Sequence, residues 1–502
     1  MFDILPSVQK ALGILKEAGF DGYIVGGCVR DLFAGRAPKD WDITTSAKPE
    51  DIERVFGEAG YKTFYENTFG TVTALASEAA IEITPFRKEG KYSNKRHPDE
   101  ITWAKTLEED LARRDFTINA MALAPEAREF KVQSSKFKVT GKSVKFENAS
   151  LIDIFGGRED VAAKIVRAVG VPEERFREDA LRLMRACRFA TELGFAIEEK
   201  TLEAIKVCAH LINEIASERV RDELEKIIAA PDPKRGILLL KETGLLAHIL
   251  PELLAGEGIS QRGPHRFDIF THNLLSLKWA AKESQSLAVR LAALFHDIGK
   301  TKTRLVQPDG KITFYDHPVV GARVTEEVLT RLHFPRKVID EVCHLVYHHM
   351  FYYDVGKVTP SGVRRLLTRV GGADVFRNLL IVRHADRSAT PVPKMHPYRL
   401  RHLEYMMEKV ASDPLARSQL VINGNDIKET LGIPEGPRVG LMIQALLAEV
   451  LEDPQKNTKE YLLTRAREMA QISDEEAKKR GGGVEKKKKE RDAKLKEKYY
   501  VK

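Results

Sequence analysis

Apolar positions along the first 125 residues alternate between two periods. Val8 to Ala18 repeats at helical spacing. Asp21 to Val25, Asp42 to Thr45, Thr71 to Leu75 and Ala80 to Thr84 are short runs rich in β-branched residues that read as strands. This mixture predicts an α/β unit. From Arg128 to Lys145 polar and apolar residues alternate around a glycine with six Lys or Arg, which predicts an exposed β-hairpin inserted at 126–150. From Glu159 onward the period turns helical. Glu178 to Leu193, Glu199 to Asn213 and Ser217 to Ala230 each give an apolar stripe with a charged outer face. A histidine-rich helical stretch runs from Gly263 to Asp386. Another runs from Pro397 to Ile472, broken at Gly424 and over 432–437. Gly481, Gly482 and Gly483 then precede a lysine-rich end. The expected organisation is a head over 1–158, helical regions over 159–262, 263–390 and 391–477, and a flexible basic tail over 478–502.

Length excludes a single core, because 502 residues exceed the usual domain of about 100–200. Hydrophobic residues at 43% and charged residues at 31% exclude a disordered or membrane-embedded chain. There is no apolar run of about 18 residues, and Met1 to Lys10 lacks a signal-peptide pattern. Four cysteines without CxxC spacing fit a reducing cytoplasm. The net charge of +8 suggests a polyanionic partner, yet its distribution changes that picture. Residues 478–502 hold 12 Lys or Arg against 4 Asp or Glu, so the other residues are neutral in sum, with 69 of each sign. The body must meet a polyanion through local patches, while the tail is an electrostatic arm or a solubilising end.

Candidate chemistry starts where the strand ending at Val25 meets Gly26 and Gly27. Paired glycines opening a helix let backbone N–H groups approach a phosphate, although the same pair also serves as a plain tight turn. Asp40 and Asp42 follow, two apart, so in a strand they share a face and can converge on one Mg²⁺. Gly26-Gly27-x-Val29-Arg30-Asp31 with Asp40-x-Asp42-Ile43 resembles the first signature of the class II tRNA nucleotidyltransferases, the CCA-adding enzymes and bacterial poly(A) polymerases. The family's later signatures are similar to Arg113 to Met121, Ile152 to Gly157, Glu178 to Phe189 and Ile215 to Val220, in order.

The resemblance implies an α+β chain: a polymerase-β-like nucleotidyltransferase head with a mixed sheet, followed by all-α domains. It implies Mg²⁺-dependent transfer of a nucleotide to the 3′ end of tRNA, releasing pyrophosphate, with ATP, CTP and the tRNA acceptor arm as partners. Asp40 and Asp42 would hold the metals, with Glu82 on a neighbouring strand as the third carboxylate. Gly26, Gly27, Arg30, Arg114, Asp115 and Asn119 would bind the nucleotide's phosphates and sugar. Glu178, Asp179, Arg182, Arg185 and Arg188 would complete the site. Asp179 and Arg182, three apart on the expected helix, would present an acceptor and a donor to C or A; the plainer reading is a surface ion pair of about 0.5 kcal/mol or less. The polar loop Arg87 to Pro98 falls where the family carries a loop tied to the switch from C to A addition. The 126–150 hairpin departs from the family pattern. Residues 159–262 become the nucleotide-selecting and RNA-binding region, and 391–477 the C-terminal tRNA-binding region.

A second constellation lies in the middle region. His272, His296, Asp297 and Asp386, in the contexts Thr-His-Asn, Phe-His-Asp and His-Ala-Asp, resemble the HD phosphohydrolase superfamily. That resemblance makes these four the ligands of a second divalent metal (Mg, Mn or Ni), with His317 and His348 as further candidates. A module of that kind hydrolyses phosphoesters at damaged tRNA ends or helps hold RNA. Three alternatives to full CCA addition stand beside it: addition of A alone or of poly(A), an HD hydrolase whose head is degenerate, and a non-catalytic RNA-binding protein. The intact carboxylates argue against the last two.

Overall fold

The computed structural model describes residues 4–65, 70–75, 80–89, 101–125, 144–145, 149–261, 267–351, 353–389, 398–412, 420–452 and 454–501. Packing divides the chain into two units, Met1–Tyr347 and His348–Lys502. Among the described residues no helix is long and apolar enough to cross a membrane, and all four cysteines are unbridged.

The first unit begins with strands β1 (Gly22–Val25), β2 (Trp41–Thr45), β3 (Lys62–Tyr65), β4 (Val72–Leu75), β5 (Ala80–Pro85), β6 (Arg87–Glu89), β7 (Ile101–Trp103), β8 (Met121–Pro125), β9 (Val144–Lys145) and β10 (Ala149–Asp153). Eight of them form one mixed sheet in the order β3-β4-β5-β2-β1-β8-β10-β9, and β6 pairs with β7 in a separate ribbon. Only β2 and β5 run parallel among the sheet's neighbours. Strand alternation does the sorting: Trp41, Ile43, Ile81 and Ile83 are buried, and Asp42 and Glu82 project from the opposite face. On that face the helix Leu107–Ala112 packs its Leu107 and Leu111 against Tyr23, Val25, Phe86, Ala122 and Ile152. The helix starts where Thr106 accepts a hydrogen bond from the Glu109 amide, and Glu108, Glu109 and Asp110 in its first turn favour the dipole.

The helices that follow are largely those the periodicity predicts, with one correction. Glu178 to Leu193 is not one helix. Pro172–Glu178 ends at Asp179, whose backbone is extended (φ −140°), and a new helix runs over Leu181–Leu193. The Asp179 side chain accepts from the Leu181 amide at 3.0 Å. A short carboxylate competing for a backbone N–H breaks the helix here, although the apolar stripe runs on. Asp179 and Arg182 therefore flank a break and do not sit on one helical face. Further on, the helix Ser217–Ala229 meets Leu287–Phe295 through a buried strut. Arg290, 2% exposed, donates to the carbonyls of Ile228, Ala229 and Ala230 and to those of Ala281 and Ser284. One guanidinium thus satisfies orphan carbonyls at the ends of two helices.

The second unit contains the helices Ala373–Ser388, Tyr398–Ser412, Gly424–Leu431, Pro437–Glu452, Lys459–Met469 and Asp474–Lys498. Ile422, Ile427, Met442, Leu446, Leu462 and Met469 form a core. Asn423 and Asp426 close a capping box at the start of Gly424–Leu431. The tail expected to be flexible is helical over Asp474–Lys498, continuous through its three glycines. Each helical glycine costs about 1 kcal/mol. Packing along Pro437–Glu452 and side-chain ties to Tyr398–Ser412 offset that. Asp492 accepts from Tyr405 Oη and pairs with Lys409, both at 2.5 Å. Glu408 accepts from Lys498 at 2.7 Å and from Tyr499 Oη at 2.5 Å. Of the hairpin expected at 126–150, residues 126–143 and 146–148 lie outside the described residues; Val144–Lys145 is the sheet's edge strand. The loop expected over 87–98 lies outside them from residue 90 on.

Candidate functional site

A cleft of about 570 Å³ opens over the sheet, lined by β1, β2, β5, the Gly26-Gly27 turn and the helical region. Its lining includes eight arginines (30, 87, 113, 114, 182, 185, 188 and 219) and four carboxylates (Asp42, Glu82, Asp115 and Asp179). That surplus of positive charge suits a polyphosphate. Of the sequence-predicted residues, Gly26, Gly27, Arg30, Asp42, Glu82, Arg114, Asp115, Asn119, Asp179, Arg182, Arg185 and Arg188 all line it. Asp40 lies in the bend just before β2, and Glu178 ends the helix Pro172–Glu178 behind Arg182.

The sheet register explains the carboxylates. Asp42 sits opposite Glu82 on the parallel strand β5 and opposite Val25 on β1. Burial pushes the Asp42 carboxyl above its ordinary range, Arg114 pulls it back, and the charge of Asp40 raises it further. The helix-opening turn is fitted to this carboxylate. Gly26 has φ +82°, and a Cβ there would stand 3.1 Å from an Arg114 nitrogen and 3.3 Å from Asp42 Oδ2. Hard carboxylate oxygens on neighbouring strands, with burial disfavouring the charge of Asp42, fit a divalent cation such as Mg²⁺.

The arginines are held by acids that the sequence reading did not single out. Asp110, buried in the helix on the sheet, pairs with Arg113 at 2.8 Å and Arg114 at 3.1 Å and accepts from the Arg87 amide at 3.2 Å. Burial pushes its carboxyl up, but the two guanidinium groups outweigh that and bring it to about 2. In sequence it looks like one more acid in an N-terminal turn, so only its zero exposure reveals the role. Asp115 is brought to about 2 in the same way, by Arg185 and an Asn119 hydrogen bond acting against burial. Asn119 sits on a short turn locked from behind. Gly157 lies so close that a Cβ would be 2.2 Å from the Thr117 carbonyl oxygen, and Asp160 accepts from Thr117 Oγ1 at 2.6 Å. The third motif is therefore the support of the second. On the helical side, Asp179 Oδ2 accepts from Arg219 at 2.8 Å and Glu178 from Arg182 at 2.6 Å. Arg182 also donates to the Arg113 carbonyl at 3.1 Å, joining head and helical region. Arg188 pairs with buried Glu223 at 2.7 Å. Arg219, in the fifth motif, also lines the cleft, a place that the motif alone did not give.

The second constellation also assembles in the first unit. His272 Nε2 and His296 Nε2 are 3.2 Å apart, and each is 3.4 Å from Asp297 Oδ2. His317 Nε2 is 3.4 Å from Asp297 Oδ1. His272, His296 and Asp297 are essentially fully buried. His296 Nδ1 lies 2.9 Å from the Ala293 carbonyl and His317 Nδ1 2.9 Å from that of Phe314. Backbone carbonyls at Nδ1 leave both Nε2 atoms as ligands, the usual arrangement behind a metal-bound imidazole. Burial raises Asp297, yet Lys300, at 2.6 Å, and His296 hold its carboxyl well below the usual range. Imidazoles with one carboxylate suit a divalent transition metal. Asp386 lies in the second unit, on Ala373–Ser388, where it accepts from Arg383 at 2.8 Å; His348 ends the helix Arg336–His348.

Three protein-family models match: the poly A polymerase head domain over residues 22–167, the probable RNA and SrmB-binding site of polymerase A over 194–256, and the HD domain over 269–390. A CCA-adding enzyme of Geobacillus stearothermophilus is 34% identical over 462 residues, 91% of this chain and 95% of its own. An A-adding tRNA nucleotidyltransferase of Deinococcus radiodurans is 33% identical over 440 residues, covering 84% of this chain and 90% of its own. Among solved structures, the Bacillus stearothermophilus CCA-adding enzyme in complex with CTP is similar with a TM-score of 0.56 and 31% identity, over 93% of this chain and 98% of that one.

Proposed function

This chain belongs to the family of the CCA-adding tRNA nucleotidyltransferases, and we propose that it builds the 3′-terminal CCA of tRNA from CTP and ATP, releasing pyrophosphate. The observation that carries the reading is the cleft itself, which sets Asp42 beside Glu82 on one side and a ring of acid-held arginines on the other.

Phosphoryl transfer needs alignment and charge neutralisation more than covalent chemistry. Asp42 and Glu82, with Asp40 before the strand, would hold Mg²⁺, which supplies charge neutralisation at the triphosphate and lowers the pKa of the attacking 3′-hydroxyl. The chain's own residues do the rest. The Gly26-Gly27 turn admits phosphate oxygens near Arg30 and Arg114. Asp115, ionised and fixed by Arg185, with Asn119 beside it, offers acceptors to ribose hydroxyls. Asp179 and Arg182 meet the base edge from either side of the helix break. Each is anchored by another partner, Arg219 or Glu178, so their spacing is preset before a nucleotide arrives. Preset donors and acceptors select by leaving a wrong base with unpaired groups. The buried cluster of His272, His296 and Asp297, with His317 at its edge, binds a second divalent metal.

tRNAs ending before C74, after one C or after CC, supplied with labelled CTP or ATP singly and together, test the transfer. The expected product is CCA from every acceptor. Addition only of A to the CC-ending tRNA selects the A-adding reading that the Deinococcus radiodurans relative favours, long A tails select poly(A) synthesis, and no incorporation anywhere refutes the proposal.

A further inference from the structure

Three of the cleft arginines meet at one aromatic ring. The guanidinium of Arg188 lies 4.1 Å from the Phe189 ring centroid, and those of Arg30 and Arg185 lie 5.3 Å from it. The ring is 6% exposed and stands edge-on to the fully buried ring of Phe116, with centroids 5.7 Å apart and planes at 81°. Phe116 fixes the ring's tilt, and the ring lines the cleft alongside the three arginines. A closed circuit completes the arrangement. Arg30 Nη1 donates to Asn119 Oδ1 at 2.8 Å, Asn119 Nδ2 donates to Asp115 Oδ1 at 3.1 Å, and Arg185 Nε donates to Asp115 Oδ2 at 2.8 Å. Arg30 belongs to the head, on the helix Gly27–Phe33, while Arg185 and Arg188 belong to the helix Leu181–Leu193. Three guanidinium groups from two parts of the chain thus converge on one ring, each also paired with a carboxylate: Asp31 at 2.8 Å from Arg30, Asp115 at 2.6 Å from Arg185 and Glu223 at 2.7 Å from Arg188.

We propose that Phe189 is a positioning residue of the nucleotide site, holding Arg30, Arg185 and Arg188 at the spacing that a nucleoside triphosphate requires. This rests on the function proposed above. The electron-rich face of the ring adds an attraction for each guanidinium that brings no further negative charge into the cleft. Asn119, Asp115 and Glu223 fix one side of the three groups, and the ring fixes the other. In this role Phe189 acts on binding and not on the chemical step.

The test replaces the ring while watching binding and turnover separately. F189L and F189M remove the π face with different shapes, and F189Y keeps it. Thermal melting checks folding of each. Equilibrium titration of each protein with CTP and with ATP, in Mg²⁺ and without tRNA, is paired with steady-state CCA addition. Expected for F189L and F189M are about tenfold weaker binding and a KM raised about as much, with kcat changed less than about threefold, and recovery to within about threefold in F189Y. Folded F189L or F189M that bind both nucleotides like the wild type overturn the inference. So does an F189Y as impaired as F189L, because packing alone would then explain the loss. A wild-type protein that binds neither nucleotide refutes the proposed function itself, and with it the inference built on it.

Discussion

The nucleotide cleft and the histidine cluster lie in one unit and use opposite electrostatic designs. In the cleft, long guanidinium groups outnumber the acids, most of them partly open to solvent, and they are tied back to carboxylates, carbonyls, the Thr71 hydroxyl or the Phe189 ring. Burial raises the Asp42 carboxyl there, as suits a group that would face a cation. In the histidine cluster, short imidazoles surround the Asp297 carboxylate, which Lys300 and His296 keep ionised, and His272, His296 and Asp297 are buried. The first arrangement holds many long donors at preset spacing around an open cleft. The second is a fixed socket for one small ion. A site that reads nucleotides needs several preset donors and acceptors around an open cleft, whereas a metal centre needs a few short ligands around one ion.

The comparison breaks most sharply if the two sites depend on each other. E82Q should lower CCA addition by about 10²-fold or more, since it removes one of the carboxylates gathered for the metal, while metal content at the histidine cluster, measured on the purified protein, stays unchanged. H296A should do the reverse: metal is lost from that cluster, and the addition rate stays within about threefold. Equal loss of transfer in both variants would mean a single coupled site.

A smaller effect concerns the acids that hold the arginines. The Asp110 carboxyl titrates at about 2 when folded, against about 3.9 unfolded. Because the folded value is the lower one, its stabilisation is fully present above pH about 4 and is lost as pH falls toward 2. D110N should therefore destabilise the head by on the order of 2 kcal/mol at neutral pH. Its urea midpoint should also fall less between pH 5 and 3 than that of the wild type. Parallel acid profiles for the two proteins would contradict the role given to Asp110.

Selection comes next in size. D179A frees Arg219 and removes one acceptor, so discrimination between CTP and UTP should fall roughly tenfold while tRNA binding changes little. Unchanged discrimination would remove Asp179 from selection. The smallest effect belongs to the tail. Replacing exposed Lys489, Arg491 and Lys494 there with Gln should weaken tRNA binding a few-fold and flatten its salt dependence, leaving the order of addition intact.

Much of the head was legible in the sequence, for definite reasons. Period-2 runs of β-branched residues marked β1, β2, β4 and β5, and the register that places Glu82 beside Asp42 follows from those strands being neighbours. The break at Asp179 was not legible, because the apolar stripe continues through it and only the side-chain bond to the Leu181 amide interrupts the backbone. Asp110 and Glu223 read as ordinary acids on helices, and burial gives them their meaning. Phe189 was visible only as a core aromatic at the end of a motif, since its three cationic neighbours come from positions up to 159 residues apart. The Gly481 to Gly483 run suggested a hinge, but ties from Asp492 and Glu408 hold a helix through it.

The most direct test of the central claim is single-turnover incubation of tRNA lacking CCA with CTP and ATP, comparing the wild type with D42N. The cleft account predicts complete CCA in the wild type and a rate at least about 10³-fold lower in a D42N protein that still folds and binds tRNA. A folded D42N protein that completes CCA at the wild-type rate would place the chemistry somewhere other than this cleft.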